Sequence, residues 1–492
     1  MKQSLFILFL LSCLSKQVNA QFFHPDPTFD TDGYAVAAFP GNDRANNLVV
    51  DASGRIVSVG FSGDYCLVAR HLANGALDNS FGTNGQVVTE FGNTIFGDVA
   101  NAVAVQPDGK IVVAGGTALD LGVLRLMPDG SFDPGFGAGG KVLLNNVGTY
   151  TAAIDVAILP DHKILMLSTI ATSGTNTRVT ALFRLSENGS LDTGFSGDGV
   201  AELDIVPNQN ENVVGLAAEA SGGKFVVAGN GTTGFVCRIL PDGSLDFAFG
   251  TAGKTILPQG QIRGVSLGID GKIVVAGRNG NNIMMARLLS NGFFDTSFGA
   301  AGMVITNTGY RVANDLIVQN DGKIIITGYQ GSFYFLVARF NVNGAADPTF
   351  TDTGYFAGQF NGIDEELHKV VLQANGNIVC AGYYDNDFGQ EDLVLLRLTS
   401  VNIVGTTDLP WAKNWSLQPN PAHGIATIHF QTASSQQVII RLLDTSGRIL
   451  RQQDAEGQQQ IPLDCSNLPN GLYWVQVQSG VESGVQKLII QH

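Results

Sequence analysis

Charge is what this sequence has least of. Asp, Glu, Lys and Arg make up only 14% of its 492 residues, and the basic ones are outnumbered, 28 to 43. A net charge of −15 argues against nucleic acid, which requires a basic footprint, and gives no support to docking on an anionic membrane. Cysteine is scarce as well. Beyond the first twenty residues only Cys66, Cys237, Cys380 and Cys465 remain, at unrelated places, so they read as small buried apolar residues rather than a disulfide framework. No apolar run reaches transmembrane length. Leu5–Leu14 is too short to cross a bilayer as a helix, and with Lys2 before it and Val18-Asn19-Ala20 after it, Met1–Ala20 reads as a secretory signal. Cys13 lies inside that run, which speaks against a lipoprotein anchor. The chain is expected to leave the cytoplasm.

Catalytic signatures are missing too. His24, His71, His162, His368, His423, His429 and His492 form no metal pair at helical or hairpin spacing. No Gly-x-Ser-x-Gly elbow and no phosphate loop follows a strand pattern. Paired carboxylates for glycoside chemistry would have to come from distant segments, and nothing marks them. The expectation is a protein without enzymatic activity, cofactor or metal. One dense acidic loop, Tyr384–Asp392, is the exception that a calcium ion would suit.

What the chain does have is glycine, 61 of them, and a repeat. Residues 107–141 read PDGKIVVAGGTALDLGVLRLMPDGSFDPGFGAGGK. The apolar run before them, the Asp-Gly turn and KIVVAG make a hairpin signal. GVLRL, a second turn and an Asp-x-x-Phe element follow. That Phe recurs as Phe29, Phe81, Phe136, Phe195, Phe249, Phe298 and Phe350, at spacings of 52, 55, 59, 54, 49 and 52 residues. An Asp stands three residues before each: Asp26, Asp78, Asp133, Asp192, Asp246, Asp295 and Asp347. The third run carries one Arg per copy, namely Arg70, Arg125, Arg184, Arg238, Arg287, Arg339 and Arg397. Copy three departs most, with His162 in place of the turn glycine.

Each copy offers four short strands and no helical period. In the second they are Ala102–Gln106, Lys110–Gly115, Gly122–Leu126 and Lys141–Leu144. Four strands repeated radially give an all-β, seven-bladed β-propeller. The strand after Asp-x-x-Phe becomes the outermost of its blade. The first of these, Tyr34–Phe39, precedes every inner strand, while the last inner set, Leu367–Leu398, lacks one. The N-terminal strand is therefore predicted to close the last blade by pairing with Asp392–Leu398. Each Arg reads as satisfied by a carboxylate or by loop carbonyls, each Asp as a turn cap, and each Phe as a plug between blades.

Units of the form DGKIVVAG…ARL..DG.LD.SFG..GKV resemble delta-60 repeats, over roughly residues 26–400. The resemblance implies a propeller in a secreted bacterial protein and carries no activity with it.

Scaffold positions repeat, whereas a binding site has no need to. Aligned on the turn glycine, one column near the start of the innermost strand holds Asn46, Asn101, Ile154, Gly215, Arg263, Asn314 and His368. Its polar members, Asn46, Asn101, Arg263, Asn314 and His368, are the candidate ligand-binding residues at the mouth of the central channel. Water-filled channel lining is the plainer reading of the same column.

Near residue 400 the repeat stops. The expected division is a signal at 1–20, the propeller at 21–400, a linker at 401–413 and a small Ig-like β-sandwich at 414–492. The tail resembles the C-terminal sorting domain of the type IX secretion system. Pro419-Asn420-Pro421, Leu443–Arg448, Leu468–Tyr473 and Lys487-Leu488-Ile489 carry the likeness. That resemblance implies the secretion machinery as a partner through 414–492, passage through the periplasm to the cell surface or medium, removal of the tail outside, and a host in the Bacteroidetes. The protein is thus expected to be a monomeric, non-transmembrane binding module for a glycan or a protein. An extracellular polysaccharide hydrolase or lyase, and a structural adhesion component, are the alternatives.

Overall fold

The computed structural model describes residues 20–491 except 31, 38, 40, 93–96, 118–119, 145–151, 172–176, 220–222, 308, 333, 352, 361–363, 386–389, 404–414, 431–437, 445–448, 457 and 480–481. The signal segment, most of the expected linker and the middle of the acidic loop lie outside the described residues. The chain divides into two compact units, Pro25–Thr399 and a second formed by Met1–His24 with Ser400–His492.

The first unit is built from seven antiparallel sheets. The first sheet runs Asp43–Val50, Ile56–Ser62, Tyr65–His71 and Gln86–Thr89 in sequential order, and five more repeat that meander. The second and third strands are almost wholly buried in every copy, as expected where both faces of a sheet are covered. Apolar clusters bridge successive sheets. Val57 and Val68 pack with Val113 and Leu124, and Val112 and Val123 pack with Met166 and Ala181. The ring returns on itself, because Leu67 and Ala69 of the first sheet share a cluster with Val379 and Leu395 of the last.

Closure takes the predicted form. Tyr34, Ala35, Val36 and Ala37 pair with Leu396, Leu395, Val394 and Leu393. The last sheet therefore combines Asp364–Leu372, Ile378–Asp385 and Glu391–Ile403 with a strand from the N-terminal end, Tyr34–Ala37. Its third strand runs to Ile403, into the stretch expected to be linker.

Copy three keeps its hairpin despite His162. That residue adopts φ +64°, its N–H donates to Leu159 O at 2.9 Å, and Leu159 N donates to Lys163 O. Histidine tolerates the left-handed region better than most residues with a Cβ, so the turn survives the loss of glycine.

Each innermost strand carries a β-bulge near its start, for example between Ala45 and Asn47 and between Leu367 and Lys369. The last glycine of the VVAG motif exists because of that bulge. A Cβ on Gly115 would lie 2.0 Å from Val99 O, and one on Gly328 would lie 2.0 Å from Val312 O. Copy three places Ser168 there, and its hydroxyl donates to Ala152 O at 2.9 Å.

In the second unit, Trp415–Gln418, Ile425–Phe430 and Gln460–Asp464 form one sheet. Ile449–Ala455, Val438–Leu443, Gly471–Ser479 and Glu482–Ile490 form another. Leu417, Ile428 and Leu463 from the first meet Ile440, Val475 and Leu488 from the second in one core, which makes a sandwich. Cys66, Cys237, Cys380 and Cys465 are free and buried.

Candidate functional site

The recurring residues form a clip. In all seven copies the Arg Nε donates to the Asp Oδ2 at 2.6 to 2.9 Å, beginning with Arg70 and Asp78. The guanidinium carbon lies 4.5 to 5.3 Å above the centroid of the recurring Phe. Arg70, Arg184 and Arg287 also donate to the turn carbonyls of Pro128, Pro241 and Val342 in the following blade. The other carboxylate oxygen caps its own loop, as Asp133 Oδ1 does for Gly135 N at 2.9 Å. A buried guanidinium thus meets a carboxylate, a carbonyl and an aromatic face, which leaves it nothing to offer a ligand.

The non-repeating residues gather at the bulges. The bulged positions are Asn46, Asn101, Ile154, Val214, Arg263, Asn314 and His368. Val214 replaces Gly215 in the column, because register in the fourth copy is set by the bulge and not by distance from the turn. All five candidate residues reach along the inner rim to the blade that follows, four of them to a backbone carbonyl. Asn46 Nδ2 donates to Ala100 O at 3.1 Å, Asn101 Nδ2 to Ala153 O at 3.0 Å, and Asn314 Nδ2 to Leu367 O at 2.9 Å. His368 Nδ1 lies 3.0 Å from Ala45 O and so spans the join between the last blade and the first. Arg263, the fifth, donates from Nη1 to Asn314 Oδ1.

Glu366, which the turn alignment passes over, ties this rim together. Its Oε1 accepts from Asn314 Nδ2 at 2.7 Å and lies 3.9 Å from Arg263 Nη1 and 4.0 Å from His368 Nε2. Burial lowers the His368 pKa, against the opposing pull of Glu366, and keeps the ring neutral near pH 7. Beside it, Arg44 pairs with Glu391 and lies 3.9 Å above the Tyr383 ring. Tyr383 Oη donates to Asp364 Oδ2 at 3.4 Å.

One residue further along the same strands is a second charged layer. Lys369 Nζ lies 3.3 Å from both Asp315 oxygens. Asp315 Oδ2 also accepts from Val370 N, and Asp155 accepts from Val156 N and Leu216 N at 2.9 Å. Burial raises the pKa of both aspartates. Burial pulls Lys369 down, but the carboxylates of Asp315 and Asp155 outweigh it and hold the ammonium charged. Gly215 and Gly264 occupy this layer in the fourth and fifth blades, and the aspartates pack against them: a Cβ on Gly264 would lie 3.0 Å from Asp315 Oδ1, and one on Gly215 3.6 Å from Asp155 Oδ2. Aligning the copies on the bulge would have revealed the whole set. No cluster of His, Cys, Asp and Glu suited to a metal occurs among the described residues.

At the same end of the fourth and fifth blades a pocket of about 360 Å³ opens between the turns at Thr232 and Asn279–Asn281, with Gly260, Gln261 and Arg278 as its remaining walls. Arg278 Nε and Nη2 donate to Gln261 Oε1 at 3.2 and 3.0 Å.

Fold and rim together define a β-propeller whose repeated residues are spent on architecture. Comparison with known proteins agrees. Residues 106–136, 222–249, 270–298, 319–350 and 373–402 match a domain of unknown function, DUF5122, described as a beta-propeller. Residues 416–491 match the secretion system C-terminal sorting domain. Five stretches of the ring thus match DUF5122 repeats and the second unit matches a type IX sorting tail, which directs the protein to the cell surface or the medium. No curated protein matches it. Among solved structures it is similar to polysaccharide lyase Uly1, at 11% identity over 72% of this chain and 89% of that one, with a TM-score of 0.43. A Lactobacillus plantarum protein matches at 13% identity over 70% and 99% with a TM-score of 0.42. An alpha-L-arabinanase from Penicillium chrysogenum complexed with arabinobiose matches at 10% over 60% and 92%, TM-score 0.35. No helix among the described residues is long and apolar enough to cross a membrane.

Proposed function

We propose that this protein is a non-catalytic binding module for an extracellular glycan, with the channel mouth as its recognition face and the 414–492 tail as its separate export address. The observation that carries this reading is the network of Arg263, Asn314, Glu366 and His368. It draws on three successive blades, and no other charged network joins the bulged positions among the described residues. Such convergent, non-repeating polar groups suit sugar hydroxyls. A protein partner would call for apolar anchors at the centre of its interface. Asn46 and Asn101 continue the same rim. The test is a glycan array probed with the purified mature protein and with Arg263→Ala and Glu366→Gln. Capture weakened in both variants supports the site, and an array on which the wild type captures nothing overturns the module.

A second reading, an extracellular hydrolase or lyase, is favoured by one feature. Burial, then the charge of Glu366, raises the Asp364 carboxyl above the ordinary range beside Tyr383, which is how a general acid is prepared. Release of reducing ends or of unsaturated uronates, abolished by Asp364→Asn, would establish it.

A further inference from the structure

We propose that the pocket between the fourth and fifth blades is a subsite for the acidic group of an anionic glycan, either a uronate carboxylate or a sulfate ester. The inference rests on the binding-module reading above and narrows its ligand.

The lining has an unusual composition for a chain of net charge −15. Thr232, Gln261, Asn279, Asn281 and the glycines at 260 and 280 carry no carboxylate, and the single charge is Arg278. Two other channel-end guanidiniums are neutralised, Arg44 by Glu391 and Arg263 by Glu366 at 3.9 Å, while Arg311 on the next blade bonds the neutral Gln330 Oε1 and stacks on Tyr355. Arg278 has no carboxylate within ion-pair distance among the described residues. Its bonds go to the neutral Gln261 Oε1 through Nε and Nη2. That amide holds one edge of the guanidinium and leaves the Nη1 donors unspent. A planar fork steadied in this way matches a carboxylate or sulfate oxygen pair.

The surroundings supply what the rest of a sugar needs. Gly280 sits at the tip of its turn with φ +58° and open space where a Cβ would lie, so backbone can approach a ligand closely. Asn281 O accepts from Arg311 N at 2.9 Å, which fixes this turn against the sixth blade. There Tyr310, 46% exposed, and Tyr329 lie with ring centroids 6.2 Å apart. Tyr329 pairs with Val312, next to the Arg311 whose N–H holds Asn281 O, which puts the aromatic pair on the blade that flanks the pocket. Tyrosine faces accept the C–H side of a pyranose, side-chain amides bond its hydroxyls, and Arg278 takes the acid.

The test is affinity electrophoresis of the full mature chain through gels containing dextran, dextran sulfate or polygalacturonate. Dextran and its sulfate share a backbone, so their difference isolates charge, and polygalacturonate tests the carboxylate source. Retardation is expected in one or both anionic gels and absent in dextran. Arg278→Gln should weaken it about tenfold, the scale of one charge-assisted hydrogen bond. Arg278→Lys, which keeps the cation, should retain most of it, and that separates charge recognition from any loss of folding. Equal retardation in dextran, or full affinity in Arg278→Gln, overturns the acidic subsite while leaving the binding module standing. No retardation in any gel together with an empty glycan array removes both.

Discussion

Arg397 and Asp26 stand 371 residues apart in the chain and 2.8 Å apart in space, Nε to Oδ2. Arg397 also bonds Ala73 O and lies 4.6 Å above Phe29. In the other six copies the Arg–Asp pair joins residues eight apart, as in Arg125 and Asp133. The N-terminal stretch thus supplies the last blade with the clip its own sequence does not reach.

If closure is equivalent to an ordinary clip, Asp26→Ala should cost as much as Asp133→Ala. Both leave a buried guanidinium without its carboxylate, a loss of about 3–5 kcal/mol. Chemical denaturation of the two variants measures it. A near-neutral Asp26→Ala would mean the last blade holds together without its N-terminal strand. Deleting residues 21–40 removes the packed strand as well and should cost more.

The buried layer of Asp155, Asp315 and Lys369 gives a pH-dependent variant. Carboxyls whose folded pKa is raised stabilise the fold below the unfolded value, about 3.9, and lose that contribution as pH rises through the folded value. Lys369 offsets the loss in the native protein. Lys369→Met should therefore melt lower than wild type at pH 7 and recover part of the difference on acidification towards pH 5. Melting temperature across that range is the measurement, and an unchanged gap would show that the ammonium does not neutralise the two aspartates.

His71 is buried, and burial lowers its pKa from 6.5 to about 4. The unfolded chain therefore binds a proton that the folded chain refuses. Stability should fall as pH drops from about 6.5 towards about 4, with a slope of up to ~1.4 kcal/mol per pH unit from this group alone. His71→Leu should flatten that stretch of the stability profile by the same slope.

Export makes a fourth case. Deleting residues 414–492 should leave the ring folded and trapped in the periplasm, while mass spectrometry of the secreted wild type should find the tail removed. An intact C-terminus on the extracellular protein would overturn the removal step.

The propeller was legible because its signals are local and repeated sevenfold. Turn, apolar run, Arg and Asp-x-x-Phe each recur, and one displaced strand at the start pointed to its partner at the end. The clip partners were readable in outline, since a buried Arg needs an acid and the only recurring acid stood nearby. The channel was harder. A bulge shifts register by one residue without leaving a motif, so alignment on the turn selected Gly215 where Val214 stands and passed over Glu366, Asp155, Asp315 and Lys369. The sequence also gave no hint of Arg278, whose meaning lies in the absence of nearby carboxylates, a property of three-dimensional surroundings.

The crossing of the chain ends has a consequence for the order of assembly. The N-terminal strand carries the same Asp-x-x-Phe element as every other copy, so each newly made Arg-bearing strand is a potential partner for it while the chain emerges. Each internal blade makes its own fourth strand soon after its third and wins by proximity, because short loops cost less to close than long ones. Only Arg397 has no local rival. A vectorially emerging chain therefore holds its first strand in reserve until the last blade exists, and shortening the loop before any internal Asp-x-x-Phe sharpens that contest in favour of the correct ring.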